Sequence, residues 1–225
     1  MHINNYVEIY IFISGDHRYI VENSLYTLRK GDIIIINPQE VHKALPMSSC
    51  MYERFFLLVD CHTFDGMYLN PLYGILNSLA GKGNLISPNG KNRDEILKLL
   101  YAMSDHFREG RDDKFRVFSF LIRFLDEINQ CLKQNCLDLG TATHIPALLE
   151  MVLTYVAENA ASIQSVSEMA SDLGMTPQYL SAYFSKHIGT PLKIYIQAKK
   201  IALAKDLLDK GADATKACYD CGFND

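Results

Sequence analysis

The sequence predicts an α+β protein of two domains: an antiparallel β-barrel at the N-terminus, joined through a helical connector to an all-α helix-turn-helix domain at the C-terminus. Three observations predict it. From Tyr6 to about Val59, β-branched and aromatic residues recur with period two. From Asp94 the apolar period becomes 3.6, and after Ser165 two short helical patterns meet across a glycine turn. With 225 residues, 48% of them hydrophobic, the chain can bury one large core or two modest ones.

The run Val7-Glu8-Ile9-Tyr10-Ile11-Phe12-Ile13 is the clearest strand, and Ser14-Gly15-Asp16 and Lys30-Gly31-Asp32 supply turns. Strands at hairpin spacing with no helix between them predict an antiparallel sandwich or barrel. Residues 66–92, rich in Gly, Asn and Pro around Leu72 to Leu79, predict an irregular connection. Asp94 to Phe107 places Ile96, Leu99, Leu100, Met103 and Phe107 on one helical face. Lys114 to Leu132 does the same with Val117, Phe118, Leu121, Ile122, Leu125, Ile128 and Leu132, leaving Arg116, Arg123, Asp126 and Glu127 for solvent. The polar stretch Lys133 to Thr143 predicts a linker. The expected division is therefore 1–90 for the barrel, 91–140 for the helical connector and 141–225 for the helix-turn-helix domain, with the boundary near 140.

Composition excludes several classes. The longest apolar runs, such as Ile33 to Ile36 and Phe55 to Val59, fall far short of the roughly 20 residues that span a bilayer. Met1 to Asn5 has no basic region and no cleavage pattern, so a cytoplasmic protein with no membrane partner is expected. The six cysteines are expected to be free thiols, and Cys218-Tyr-Asp-Cys221 lacks the second ligand pair a structural zinc needs. No Ser/His/Asp set, phosphate-binding glycine loop or paired-carboxylate constellation stands out, so no catalytic residues, resident metal or cofactor are expected. The net charge is −4, and residues 150–225 carry seven lysines against nine acidic residues. Attraction to phosphate is therefore weak, and a DNA-binding reading must rest on motif geometry.

Ser165 can cap a helix with Glu168 at the capping-box position, and Val166, Met169, Ala170 and Leu173 then form its buried stripe. Gly174 ends that helix, and Thr176-Pro177 starts the next with a capping hydroxyl and a first-turn proline. In the second helix Tyr179, Leu180, Tyr183 and Phe184 are expected inside, and Gln178, Ser181, Ala182 and Ser185 outside. On these residues alone, a packed helical hairpin and a DNA-reading motif weigh equally. The residues that follow add Gly189-Thr-Pro191, Tyr195, Lys200-Ile-Ala202, Leu207-Leu208 and Gly222-Phe223. With this order and spacing, the chain from about Ile145 resembles the DNA-binding domain of AraC-type transcription regulators.

That resemblance implies two helix-turn-helix units joined by a long helix at Pro191 to Lys210, with Asp213 to Cys221 as the first helix of the second unit. The sequence ends at Gly222-Phe-Asn-Asp225, in the turn before a second recognition helix, so a C-terminally truncated version of the pattern is expected. The family's base-reading positions fall on Gln178, Ser181 and Ala182, with Ser185 on the same face. Ala182 stands where arginine is common and offers only a methyl contact. Lys186 and Lys200 match positions of basic residues near phosphate, Lys200 in place of the usual arginine.

Gly31-Asp32-Ile-Ile-Ile-Ile-Asn37-Pro38-Gln-Glu40-Val-His42 resembles the second signature of a cupin barrel. His2-x-Asn4-x-x-x-Glu8 followed by Gly15 resembles the first, with Asn4 where a second histidine usually stands. In AraC-type regulators this is also the expected sensor domain. The resemblance implies that His2, Asn4, Glu8 and His42 converge inside the barrel. Two imidazoles and a carboxylate suit a transition metal, but Asn is a poor ligand for one, so a polar pocket for a small molecule is the preferred reading. His2, Asn4, Glu8, Tyr10 and His42 are the expected effector residues. Tyr10, Tyr19 and Tyr26 can stack a sugar ring or simply fill half-buried strand positions. The expected partners are duplex DNA, a small effector with carbohydrate as candidate class, and a second copy of the chain meeting along helix 114–132. The alternatives are a metal-dependent cupin enzyme with a helical accessory domain, and a dimerisation protein defective in DNA binding.

Overall fold

β-Branched residues favour a pleated backbone, and the alternating run from Val7 to Ile13 forms the first strand in a computed structural model of the protein. The structure describes residues 6–60, 62–67, 70–72, 74–76, 81–110, 113–133 and 145–223. Among these residues seven strands come first: β1 (Tyr6–Ser14), β2 (His17–Val21), β3 (Ser24–Thr27), β4 (Ile33–Ile36), β5 (His42–Pro46), β6 (Glu53–Asp60) and β7 (Leu85–Ile86). Seven helices follow: α1 (Gly90–Arg108), α2 (Lys114–Lys133), α3 (Ala147–Asn159), α4 (Val166–Asp172), α5 (Pro177–Ile188), α6 (Leu192–Asp209) and α7 (Ala214–Asp220). The α+β order is the expected one. His2, Asn4 and the proposed linker and boundary near 140 lie outside the described residues.

The barrel is not closed. The strands form two antiparallel sheets, β6-β1-β4-β7 and β3-β2-β5, and no pairing joins their edges among the described residues. Alternation of inward and outward residues is common to sandwiches and barrels, so the sequence could not separate them. The second sheet has strands of only four or five residues, which are short for the tilt and stagger that closure demands.

Each sheet carries buried residues on both faces, with the edge strand β6 the least covered. In the larger sheet, Ile9 faces Ile35 and Ile11 faces Ile33 across β1 and β4. These odd-numbered residues pack with Val7, Val59 and Ile86 against Ile96 and Leu100 of α1 and Phe124, Leu125 and Ile128 of α2. Tyr10, Phe12, Ile34 and Ile36 turn the other way and meet Tyr19, Val21, Tyr26 and Leu28 from the smaller sheet. All four isoleucines of β4 are thus buried, two in each layer. The outer face of the smaller sheet sends Ile20, Leu25, Val41 and Leu45 into one apolar cluster with Leu149, Phe184, Ile188 and Tyr195 of the C-terminal helices.

Two apolar stripes differ from expectation. In α1 Phe107 is exposed and Met103 half-buried, and in α2 Phe118 is exposed while Phe124 and Cys131 are buried. A stripe chosen by period alone is uncertain by one residue in phase, about 100°, and contact with the sheet decides. Among the described residues, no helix is long and apolar enough to cross a membrane. Cys50, Cys131, Cys218 and Cys221 are free thiols.

One buried carboxylate organises the turn after β4. Glu40 accepts from Asn37 N at 2.7 Å, Gly81 N at 2.7 Å and Asn84 Nδ2 at 2.9 Å. Removing it strands three donors. Glu40→Ala should therefore lower the unfolding free energy in urea by about 2–4 kcal/mol. Burial pushes the Glu40 carboxyl up, the donated bonds pull it down, and neighbouring Glu22 adds to the rise. The unfolded chain then ionises first, so the stability associated with this group falls as pH rises above the ordinary glutamate range towards the raised folded value. Glu40→Gln should flatten that part of the stability-versus-pH curve.

Candidate nucleic-acid interface and interior pocket

The N-terminal signals of the first helix pair are realised. Ser165 Oγ accepts from Glu168 N at 3.1 Å, and the Glu168 carboxylate reaches back to Gln164 N at 2.9 Å, one residue before the cap. Glycine at 174 takes φ +68°, a left-handed conformation that lets the chain turn. Thr176 Oγ1 then accepts from Tyr179 N at 3.3 Å with Pro177 in the first turn of α5.

In α5, Leu180, Phe184 and Ile188 are buried, and Gln178, Ala182 and Lys186 are exposed. Ser181 and Ser185, expected outside, are half-buried on the flank. Tyr179, expected inside, is 54% exposed. It lies 5.9 Å from the Tyr183 ring, which in turn lies 4.2 Å from His187. Residues 179, 183 and 187 are four apart and form their own row beside the buried one. The exposed face remains long enough to enter a major groove.

Lys200 departs from its expected place. It is only 7% exposed, and its ammonium donates to the Gly222 carbonyl at 2.8 Å. Glycine is required at 222, where φ is +69° and a Cβ would fall 2.0 Å from the Ala161 carbonyl oxygen. Lys200 thus fastens the end of α7 to α6, and a role at phosphate would require that bond to open. It borders a cleft of about 460 Å³ that Lys193, Gln197, Gln164 and Ser165 also line.

Between the sheets, Glu8 and His42 come together. His42 Nδ1 lies 2.9 Å from the Glu40 carbonyl and must donate to it, because that oxygen can only accept. Nε2 is then left facing Glu8 Oε2 at 3.2 Å, and a hydrogen bond there needs a proton on one of the two. Tyr19 stacks parallel to the His42 ring at 6.3 Å, and Tyr10 lies 4.5 Å from Tyr19. Burial pushes the Tyr10 and Tyr19 hydroxyls far up, so both stay protonated. Tyr26 donates to Asn84 Oδ1 and the Gly81 carbonyl, a structural use of its hydroxyl.

Three neighbours escaped the sequence reading. Tyr52 meets Tyr10 hydroxyl to hydroxyl at 2.5 Å and stacks on His17 at 4.0 Å, and the Arg54 guanidinium lies 5.0 Å above the Tyr52 ring. Phe56 and Leu58 continue the same face of β6 and are 55% and 51% exposed, so the interior is open along that strand. The signal was the pairing of β6 with β1, which places Phe56 opposite Tyr10; the apolar run Phe55 to Val59 hid its alternation.

A capped pair of short helices across a glycine turn, with one face free of the core, has helix-turn-helix geometry. A family described as "Helix-turn-helix domain" matches residues 169–225. The chain is 23% identical over 234 residues to the uncharacterized HTH-type transcriptional regulator YbfI of Bacillus subtilis (strain 168), covering 99% of this chain and 79% of that protein. Two solved structures are similar at low level. The AraC-like transcriptional activator CuxR has 13% identity and a TM-score of 0.42 over 97% of this chain and 72% of its own. Unsaturated fatty acid bound ToxT from Vibrio cholerae has 12% identity and a TM-score of 0.35, over 98% and 79%.

Lys200→Met should cost about 1–3 kcal/mol in thermal or urea unfolding by leaving the Gly222 carbonyl unpaired. Exposed Lys193→Met should stay within about 0.5 kcal/mol.

Proposed function

We propose that the protein is a sequence-specific DNA-binding transcriptional regulator whose two-sheet domain binds a small effector. The observation that carries the DNA reading is α5: both caps are in place, its apolar stripe is buried, and Gln178 and Ala182 stand free at its N-terminal half, where a recognition helix meets base edges. Gln178 can read adenine through two hydrogen bonds, and Ala182 can touch a thymine methyl. Exposed Lys186, at the far end of the same face, suits a phosphate contact.

The effector would engage the residues between the sheets, cupin-like in kind, where Glu8 and His42 meet and the face of β6 is exposed. Glu8 accepts, buried tyrosine hydroxyls donate, and Tyr10, Tyr19 and Tyr52 offer ring faces. Acceptors, donors and flat apolar faces at close quarters suit a polyhydroxylated ring, and a carbohydrate is the class we propose. His2 and Asn4 complete the residue set on the sequence reading.

Two copies would meet along α1 and α2. Phe115 is 90% exposed there, and Phe107, Val117, Phe118 and Leu121 line a surface groove of about 530 Å³. Exposed aromatics in such a groove are the usual material of a protein interface. Residues 1–90, 91–140 and 141–225 then serve as sensor, dimer connector and reading head.

DNA titrations test the reading. Gln178→Ala should leave folding stability within about 0.5 kcal/mol, as for an exposed residue. It should weaken the preferred site by about 1–3 kcal/mol while barely changing non-specific binding. A large fall in melting temperature with sequence preference intact would make α5 an ordinary packed helix. For the pocket, His42→Ala should abolish the thermal stabilisation given by whichever neutral monosaccharide stabilises the wild type in a panel; stabilisation that survives the substitution would move the site elsewhere.

A further inference from the structure

His42 and Lys43 are neighbours in β5, and consecutive strand residues face opposite sides of a sheet. His42 turns inward to Glu8. Lys43 turns outward to the helices, where its ammonium donates to the carbonyls of Ile188 at 3.2 Å and Gly189 at 2.6 Å and to Thr190 Oγ1 at 2.6 Å. The Ile188 and Gly189 carbonyls close the C-terminus of α5, where carbonyls lack helical partners and the helix dipole is negative. A cation with three donors meets three acceptors there.

A second contact lies beside the first. Glu22, buried and held at φ +54° just past β2, takes Val41 N on one carboxylate oxygen at 2.6 Å and pairs with Lys199 of α6 through the other. Its main-chain oxygen accepts from the buried Tyr195 hydroxyl at 3.0 Å. Between these polar contacts, Ile20, Leu25, Val41 and Leu45 share one apolar cluster with Phe184, Ile188 and Tyr195.

We infer that Lys43 and Glu22 form a clamp that fixes the first helix-turn-helix unit to the β3-β2-β5 sheet, and that β5 carries a change at His42 to the end of helix α5. A ligand that draws Glu8 or His42 from the other shifts the strand that holds Lys43. Recognition helix and pocket floor are then one residue apart along a single strand. The clamp itself is independent of DNA; only its regulatory meaning rests on the function proposed above.

Hydrogen exchange of the whole protein without DNA or effector tests it, read on the segment 185–195. Lys43→Met should speed exchange there by about tenfold, Lys43→Arg should stay near wild type, and Glu22→Gln should speed the α6 end of the segment. His42→Gln, which leaves the clamp residues intact, should also change exchange in 185–189 severalfold. Unchanged exchange there in Lys43→Met and in the Glu22→Gln, Lys43→Met double variant would overturn the clamp. An unchanged α5 in His42→Gln, with β5 itself exchanging faster, would overturn the transmission. The exchange changes without any DNA binding would leave the clamp standing and remove the regulator reading.

Discussion

Ile20, Leu25, Val41 and Leu45 leave the small sheet on the side opposite Tyr19, Val21 and His42, and the rest of the molecule is arranged around that double use of three short strands. Strand geometry forces the alternation. One side becomes the wall of a polar, aromatic interior, and the other becomes part of the core of the helical domain. A sheet only three strands wide gains much of its stability from cover on both faces, so the C-terminal helices support the two-sheet part as much as they are carried by it. Large buried hydrophobes such as Phe184 and Tyr195 provide that cover.

Charge inside such a junction has to be matched closely, because a buried ion left without partners costs several kcal/mol. Each group here is matched: Lys43 by three oxygens, Glu22 by an amide and an ammonium, the Tyr195 hydroxyl by a main-chain carbonyl. Directional bonds of this kind set register, whereas the surrounding leucines and isoleucines set only proximity. The side chains between the sheets follow the same logic, since the Glu40 carbonyl decides which nitrogen of His42 carries hydrogen and therefore which one faces Glu8.

Much of this was legible in the sequence, for reasons particular residues make plain. Ser165, Gly174, Thr176 and Pro177 act through local backbone chemistry, so the helix pair could be placed to within a residue. His42 was expected inside from strand parity and the cupin-like spacing, and it is inside. What failed was whatever depends on neighbours distant in the chain. Tyr179 and Phe107 were assigned to buried stripes from their period, but a helix face is settled by what lies against it. Lys200 was placed near phosphate by the AraC-type resemblance, whereas Gly222, 22 positions on, draws it in. Glu22, Lys43, Tyr52 and Arg54 gave no local signal, because their partners come from other strands and helices.

The four consecutive isoleucines of β4 have a consequence for how the chain is made. Their two faces are covered by different layers, and one of those layers includes Ile96 and Phe124, which are synthesised long after Ile36. Until then an apolar, uncharged, β-branched segment stays uncovered, the composition that most readily pairs with other chains into aggregates. Lys30 and Asp32 before it and Pro38 after it act as gatekeepers, a charge pair and a break that interrupt intermolecular strand growth. Soluble yield on expression is then expected to fall when this flank is neutralised, and Asp32 serves twice, since in the finished fold it is buried and accepts from Arg29 N at 2.7 Å.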